Sequence, residues 1–492
     1  MPDIDSERRG WRQIFVSRFW QRRRLHLALL VWAAIYLPAL GSLEIKGEEG
    51  RRILPAVTML QTGNFLVPYV GSEAYFRKPP LVNWLVAASF KLTGVRNEWT
   101  ARLPSVLAVL AVAIAFVTVG SQSLGSLGSL FAALVWLANF ANVEKGRLIE
   151  IEALYVSLTA LAFIFWIAAY RAGKNGLRLW LAPAVFLGLG LLAKGPLHLL
   201  FFYGPVIALL WSDRKLSLLA TRAHLITLVI IFGIFAAWAA PAVLVSNPSH
   251  VARLWSREFS GRVSGEGFQL SSWLMNIPRS LAYVLPWLPL ALLQFDQPAD
   301  VRRANRALLV GILVPFVAIN LVPAALPRFA MPALGPAAWW FGELLSRNNL
   351  HWPRWLGAKS FSAKTRDWLV LVLVALTCLA LLGYAFLIVP RLQSREKVRK
   401  HARQIDAVVP ANIPLYAVDP QYQPYLFYVH APIRYARTID ELPPDTRFFL
   451  VQAGNEREAQ ATNRWSPHRA QLVLRIKDYR NHEIIVFAVS SF

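Results

Sequence analysis

Charged side chains gather in the segment that follows the first long apolar run of the chain. Glu48 and Glu49 are adjacent, and Arg51 and Arg52 follow after a single glycine. A carboxylate can take a proton from a hydroxyl as a general base. A cation can stabilise an anionic leaving group such as a phosphate. Because the cluster directly follows an apolar run, both chemistries would act at a membrane surface.

A second group of cations lies further along the same segment, where Arg77 and Lys78 precede two prolines. An arginine in this place could clamp a phosphate directly. The competing interpretation is that Glu48, Glu49, Arg51 and Arg52 are ordinary solvated charges beside a helix. Spacing alone does not decide between these two interpretations.

Long apolar runs must position these side chains. The chain has 492 residues, of which 56% are hydrophobic, whereas soluble domains usually have about 45–50%. A helix that crosses a bilayer takes about 17–25 residues, and about eleven runs approach that length. They cover approximately residues 26–43, 101–120, 125–142, 151–170, 179–193, 196–212, 223–245, 279–295, 306–322, 327–345 and 367–390. With one or two more helices in 53–93, we predict a polytopic α-helical membrane protein with about 11–13 transmembrane helices.

The net charge of +24, from 52 Lys and Arg against 28 Asp and Glu, suits membrane lipids as partners. Nucleic acid is not an expected partner, because no nucleic-acid-binding module occurs and the cations are scattered between apolar runs. If the basic N-terminus is cytoplasmic, alternating spans put the short basic loops in the cytoplasm too, as the positive-inside rule requires. These loops are 171–178, 212–222, 296–306 and 346–366.

This orientation predicts three domains. Residues 1–25 form a cytoplasmic basic N-terminus, 26–390 the transmembrane domain and 391–492 a soluble domain outside the cytoplasm. The first outer loop, 44–100, contains two amphipathic segments, 53–60 and 81–92, which we predict to be interfacial helices. The tail alternates short helices and strands, which predicts a small α/β domain. Its helices are expected at 392–408 and 421–429, and its strands at 414–418, 433–435 and 447–452, followed by two more apolar runs, 472–476 and 483–489.

Several short motifs follow one another along the outer loop and into the start of the next apolar run. They are Glu48-Glu49-Gly50-Arg51, Met59-Leu60, Gly63-Asn64-Phe65, Lys78-Pro79-Pro80-Leu81 and Ala101-Arg102-Leu103-Pro104-Ser105. In order and spacing the chain resembles the bacterial lipid-carrier-dependent glycosyltransferases of the GT-C architecture. That group contains the aminoarabinose transferases that modify lipid A and relatives of the protein O-mannosyltransferases. Looser matches are Gly146-Arg147 with Glu150 and Glu152, Lys194-Gly195-Pro196 and Pro327-Arg328-Phe329.

The resemblance implies roles for individual residues. Glu48 stands at the position of the catalytic carboxylate, which is usually Asp, and Glu49 follows it. Glu152, or less well Glu150, would be a second carboxylate. The donor phosphate would be held by Arg51, Arg77, Lys78 and Arg328. Since near-attack geometry is sensitive to shifts of about 1 Å, the change from Asp to Glu leaves the choice between Glu48 and Glu49 open.

The chain departs from those relatives that bind a divalent metal. They carry Glu before Lys-Pro-Pro and a His in a later outer loop. Here Arg77 takes the first place, and no His lies between His250 and His351. We therefore predict neither a metal nor another cofactor. Lys194, between two apolar runs, is either functional or a side chain that extends to the interface, and both interpretations stay open.

The resemblance implies an enzyme that transfers a sugar from a polyprenyl-phosphate donor to a lipid or protein acceptor. It would act at the outer face of the bacterial inner membrane. The main alternative is a transporter or flippase of lipid-linked sugars, which predicts inverted repeats and charges near the bilayer midplane. No clear repeat occurs, and the charges crowd the expected outer interface. A scaffold without catalytic activity is a third interpretation.

Overall fold

The computed structural model describes residues 23–265, 268–295, 298–357, 359–461, 470–477 and 481–489. The chain divides into two compact units. The first contains the described residues as far as Pro38, then Arg77–Leu81 and Ser105–Tyr384. The second contains Ala39–Phe76, Val82–Pro104 and the described residues from Ala385 onward. The sequence instead predicted a linear division at residue 390, and its basic N-terminus, 1–25, lies almost wholly outside the described residues.

Helices dominate the described residues. In chain order they are α1 (23–36), α2 (Gly50–Thr62), α3 (Leu81–Thr93), α4 (Glu98–Ala115), α5 (Ser121–Leu137), α6 (Phe140–Lys145), α7 (Ile151–Arg171), α8 (Leu177–Ala193), α9 (Leu197–Ser212), α10 (Arg222–Leu244), α11 (Pro248–Val263), α12 (Leu270–Leu274), α13 (Asn276–Ala282), α14 (Ala299–Leu321), α15 (Leu334–Leu345), α16 (Ala363–Gly383), α17 (Val389–Gln393), α18 (Val398–Asp406) and α19 (Glu456–Ala461). The strands are β1 (Tyr69–Val70), β2 (Glu73–Ala74), β3 (Gln294–Phe295), β4 (Leu350–His351), β5 (Ser360–Phe361), β6 (Leu415–Val418), β7 (Ile433–Ala436), β8 (Phe448–Gln452), β9 (Ala470–Lys477) and β10 (Glu483–Val489).

Long apolar helices confirm the predicted multi-pass membrane architecture. In a bilayer core every backbone polar group must be satisfied internally, which a helix achieves within one segment. Among the described residues, five helical stretches are long and apolar enough to cross a membrane, and α3, α8 and α9 are shorter apolar helices. The five are Glu98–Leu137, Ile151–Arg171, Arg222–Leu244, Val301–Leu321 and Ala363–Gln393. The total number of crossings stays a prediction.

One predicted span is wrong. The run 279–295 does not form a continuous helix, because α13 ends at Ala282 and only a short 3₁₀-helix, Leu288–Leu292, follows. Pro286 and Pro289 lack the amide hydrogen that an α-helix needs, and a proline ring clashes with the preceding turn. Apolar composition predicted a span there, but the prolines interrupt it.

In the first unit, α7 lies among other helices. It packs against α8, α9 and α15, and against the 3₁₀-helix Pro327–Ala333. The contact with α15 is close, since a Cβ added to Gly335 would lie 2.5 Å from the Cβ of Ala160. This packing holds the first turn of α7 beside the 3₁₀-helix, and both carry charged residues named above.

The tail is a small domain with a mixed five-stranded sheet in the order β7-β6-β8-β10-β9, as the sequence predicted in outline. β6 pairs in parallel with β7 and β8, while β10 is antiparallel to β8 and β9. The helix predicted at 421–429 is wrong, because only a 3₁₀-turn, Pro424–Phe427, forms there. Gln421 has φ of 52°, which is left-handed and not helical, so the helix cannot begin at that residue.

Within the second unit, segments of the first outer loop are bonded to the tail. Both carboxylate oxygens of Glu44 accept backbone N–H groups at the start of α18, where Val398 N donates at 2.8 Å. A carboxylate at this end of a helix also complements the helix dipole. Arg399 forms an ion pair with Glu98, and the Tyr428 hydroxyl donates to the same carboxylate at 2.8 Å. Most of the first outer loop and the described part of the tail therefore belong to one compact unit.

Candidate active site

Charged side chains from three distant parts of the sequence meet in the first unit. Glu152 is buried in the first turn of α7. The Lys194 ammonium lies 3.0 Å from its Oε1, and Nε of Arg328 lies 3.5 Å from the same oxygen. A buried carboxylate is therefore flanked by two cations, one from the turn after α8 and one from the 3₁₀-helix before α15.

Backbone geometry and aromatic rings hold Lys194 in place. Gly195 has φ of 119°, which side-chain-bearing residues rarely adopt, so the turn between α8 and α9 requires glycine there. The ammonium lies 5.2 Å from the ring centroid of Tyr155 and 5.0 Å from that of Phe329. Only 11% of the Lys194 side chain is exposed. The lysine is therefore directed inward to Glu152, which favours a functional role over that of an interfacial anchor.

The electrostatics of this cluster favour an anion. Burial lowers the pKa of Lys194 below its usual value, the Glu152 carboxylate opposes that shift, and the nearby charges of Arg328 and Lys78 lower it further. Lys78 therefore lies close enough to feel the same field. Glu150 also interacts with Arg328 and Glu152, but it is itself paired with Lys145. Lys78, Lys194 and Arg328 therefore leave an excess of positive charge around Glu152, and a bound anion would relieve the repulsion among them.

A second acid lies just before α7. Glu150 forms an ion pair with Lys145, with 3.3 Å between Nζ and Oε2. Burial raises the pKa of Glu150 above its usual value, while the Lys145 ammonium opposes the shift. Glu150 is therefore a weaker acid than an exposed glutamate, which makes its carboxylate a better proton acceptor.

The two adjacent acids of the first outer loop have different environments in the second unit. Arg102 donates from Nε and Nη2 to the two carboxylate oxygens of Glu49, at 2.9 and 2.8 Å. Its Nη1 donates to the carbonyl oxygens of Leu40 and Leu43. Both side chains are buried. Glu49 is therefore engaged in a structural ion pair with Arg102.

Glu48 is accessible. Its side chain is 40% exposed, and it lies 3.2 Å from Arg51 and 3.7 Å from the buried Arg52. Arg51 in turn lies over the ring of Tyr422, at 5.3 Å from the centroid. The Tyr422 hydroxyl donates to the carbonyl of Gly47, next to Glu48. The tail thus restrains the turn that carries Glu48.

The predicted phosphate ligands do not all belong to the same unit. Lys78 and Arg328 belong to the cluster around Glu152 in the first unit, whereas Arg51 pairs with Glu48 in the second. Arg77 is exposed and has no ion pair or hydrogen bond with the described residues. Within the described part of the chain, no group of three or more His, Cys, Asp or Glu side chains could hold a metal ion.

The chain is similar in sequence to known glycosyltransferases. Residues 77–240 match the family model described as dolichyl-phosphate-mannose-protein mannosyltransferase. The chain is 27% identical over 344 residues to an undecaprenyl phosphate-alpha-4-amino-4-deoxy-L-arabinose arabinosyl transferase 2 of Pseudomonas fluorescens, with 66% of this chain and 60% of that protein covered. The corresponding enzyme of Proteus mirabilis is 26% identical, with 63% and 57% covered. The chain thus spans about 60% of the length of these curated relatives.

The fold agrees over almost the whole chain. The crystal structure of ArnT from Cupriavidus metallidurans bound to undecaprenyl phosphate superposes with a TM-score of 0.68, covering 97% of this chain and 98% of that one at 17% identity. The apo form of the same protein superposes with a TM-score of 0.67. The chain therefore has the GT-C fold. The family resemblance inferred from the first outer loop is therefore confirmed.

The sequence predicted roles for Glu152 and Arg328 but left the role of Lys194 undecided. The available signal was a lysine in a Lys-Gly-Pro turn between two apolar runs. That signal could not show which way the ammonium points. The rings of Tyr155 and Phe329, which flank it, come from other helices and carry no local sequence signal of their own.

Proposed function

We propose that this GT-C protein transfers a sugar from a polyprenyl-phosphate donor to a lipid or protein acceptor at the outer face of the bacterial inner membrane. The observation that carries the proposal is the convergence of Lys194 and Arg328, with Lys78 nearby, around the Glu152 carboxylate. The names of the curated relatives, which are undecaprenyl-phosphate aminoarabinose transferases, support a lipid-phosphate donor.

The cation cluster would act on the leaving group. During transfer the bond between the anomeric carbon and the phosphate oxygen breaks, and the electron pair stays on the polyprenyl phosphate. Fixed positive groups that meet this developing charge lower the barrier without reorganising at the moment of reaction. Glu152 would orient the Lys194 and Arg328 side chains. Because its carboxylate also neutralises part of their positive charge, the product phosphate would not be bound too tightly to leave.

The acceptor hydroxyl supplies the new bond to the anomeric carbon and must lose its proton. We propose Glu48 as the general base, because its carboxylate is accessible whereas both oxygens of Glu49 are bonded to Arg102. Direct displacement of this kind inverts the configuration of the anomeric carbon. Glu150, with its raised pKa, is the carboxylate to test next.

The proposal is tested with purified protein and a panel of polyprenyl-phosphate sugars, beginning with 4-amino-4-deoxy-L-arabinose. The acceptors are a lipid A glycolipid and a serine- and threonine-containing peptide. Release of polyprenyl phosphate together with a glycosylated acceptor is expected. Lys194→Gln and Arg328→Gln should both weaken donor binding, whereas Lys174→Gln, at an exposed site in another loop, should not.

Two outcomes would overturn the proposal. The first is failure to release polyprenyl phosphate from any donor in the panel. The second is movement of intact donor across the bilayer of proteoliposomes without transfer, which would favour the flippase.

A further inference from the structure

A cleft of about 400 Å³ lies in the second unit where α2 and α3 end. Its apolar wall contains Leu60 and Phe65 from the end of α2 and the following turn, and Phe90 from α3. Its cationic rim contains Lys91 and Arg96. A volume of roughly 300–1,000 Å³ is typical of small-molecule sites, and this one combines an apolar wall with two positive charges.

The position of the cleft in the chain places it at the membrane boundary. Among the described residues, the stretch Glu98–Leu137 is long and apolar enough to cross a membrane, and Arg96 precedes it by two residues. The intervening surface is apolar and exposed, since Leu92 is 87% exposed, and Val95 and Trp99 are about half exposed. Exposed apolar side chains of this size beside a span normally contact lipid or another protein, and Trp is enriched at the bilayer interface.

The charge of the rim is not balanced by acids in the cleft. None of its lining residues is Asp or Glu. Arg96 donates to the carbonyl oxygen of Phe427 at 2.9 Å and lies 5.2 Å from the centroid of that ring, and both of these partners are uncharged. Lys91 is exposed and makes no ion pair with the described residues. Two uncompensated cations at the headgroup level attract an anionic headgroup.

We propose that this cleft binds one anionic phospholipid of the surrounding bilayer. Its phosphate lies between Lys91 and Arg96, and the first carbons of an acyl chain lie against Leu60, Phe65 and Phe90. This site is separate from the cation cluster around Glu152 and is independent of sugar transfer. Because Leu60 belongs to α2, which begins two residues after Glu48, the bound lipid would also stabilise the helix that follows the proposed base.

The test measures lipid retention rather than activity. The full chain is purified from nanodiscs that contain phosphatidylglycerol and phosphatidylcholine, and bound lipids are counted by native mass spectrometry. One phosphatidylglycerol per chain is expected to persist. Since each basic residue near a membrane surface contributes about 1 kcal/mol, Lys91→Gln with Arg96→Gln should weaken retention roughly 10- to 30-fold.

Matched controls distinguish lipid retention by this cleft from retention caused by the general surface charge of the protein. Lys400→Gln with Lys477→Gln removes the same charge from exposed positions outside the cleft and should leave retention unchanged. Val95→Ser should weaken retention of long-chain but not of short-chain phosphatidylglycerol. Equal loss in the control pair, or equal retention of phosphatidylcholine, would overturn the proposal.

Other occupants would be recognised by competition. If inorganic phosphate displaced the lipid at millimolar concentration, the cleft would be a simple anion site. If undecaprenyl phosphate displaced it one for one, the cleft would belong to the donor. If a dimer formed when the rim residues were intact and dissociated in the double variant, a second copy of the chain would cover the cleft. Each of these three results contradicts the phospholipid assignment.

Discussion

The guanidinium of Arg102 holds both carboxylate oxygens of Glu49, at 2.9 and 2.8 Å, and both side chains are buried. Glu48, the preceding residue, is 40% exposed and, among the residues that the structure describes, forms ion pairs only with Arg51 and Arg52, at longer distances. Two adjacent acids of the same type therefore have different tasks. One connects the first outer loop to the start of α4, and the other is available to a substrate.

Loss of the buried pair should destabilise the protein. Glu49→Gln leaves the Arg102 charge buried without its partner, and breaking such a pair typically costs about 3–5 kcal/mol. The thermal unfolding midpoint of the detergent-solubilised protein should fall clearly in this variant. Glu48→Gln is the matched control and should change stability by no more than about 0.5 kcal/mol, since it alters an exposed side chain. Equal falls in both variants would show that the two acids do not differ in this way.

Replacing the proposed base should affect the rate without affecting the fold. A positioned general base contributes about 10²–10⁴-fold, so Glu48→Gln should lower kcat by that factor while KM for the donor changes little. Glu48→Asp, which restores the residue usual in relatives, should keep substantial activity. The measurement is steady-state transfer with the unfolding midpoint as a check on folding. If Glu48→Gln kept the wild-type kcat and Glu150→Gln lost it, the general base would be Glu150 instead.

Donor binding should weaken at alkaline pH. Burial holds the pKa of Lys194 below 10.5, so in the folded protein this lysine loses its proton at a lower pH than a free lysine does. Its positive charge is complete below the folded pKa and is lost as pH rises through it. Donor affinity should therefore be constant near neutral pH and fall on the alkaline side, at a pH below 10.5.

The arginine variant separates this effect from others. Arginine keeps its charge up to about pH 12, so in Lys194→Arg the alkaline loss of affinity should disappear or move to higher pH, even if the overall affinity is lower. Titration of donor binding against pH in both proteins gives the comparison. If donor affinity in Lys194→Arg fell at the same alkaline pH as in the wild type, a group other than Lys194 would be losing its proton.

The contact between Gly50 and Tyr422 should appear in a double-mutant cycle. Gly50 has helical dihedral angles, so alanine would normally stabilise α2 by about 1 kcal/mol. Here a Cβ at Gly50 would lie 2.4 Å from the Tyr422 hydroxyl, so Gly50→Ala should destabilise the protein instead. In a Tyr422→Ala background the same change should be neutral or stabilising. The unfolding midpoints of the four proteins measure the coupling, and additive effects would contradict the close approach.

The local sequence determined most of the helices and strands of this protein and the family resemblance that its first outer loop shows. Apolar runs of membrane-spanning length form helices because backbone polar groups in a bilayer must be satisfied within the segment. The short strands of the tail follow from local patterning in the same way. The motifs of the first outer loop were sufficient to predict the GT-C family, because they depend on the order of residues within a single stretch of chain.

Only the tertiary structure decided which charges meet. Glu152, Lys194 and Arg328 are far apart in the sequence, and no local pattern encodes the packing of α7 against the 3₁₀-helix Pro327–Ala333 that brings them together. The burial of Glu49 and the exposure of Glu48 likewise depend on Arg102, which lies beyond α3. The sequence placed the soluble tail in a domain of its own, but bonds such as that between Glu44 and α18 join it to the outer loop. Long-range electrostatic pairing and burial, which act through space, decide these points.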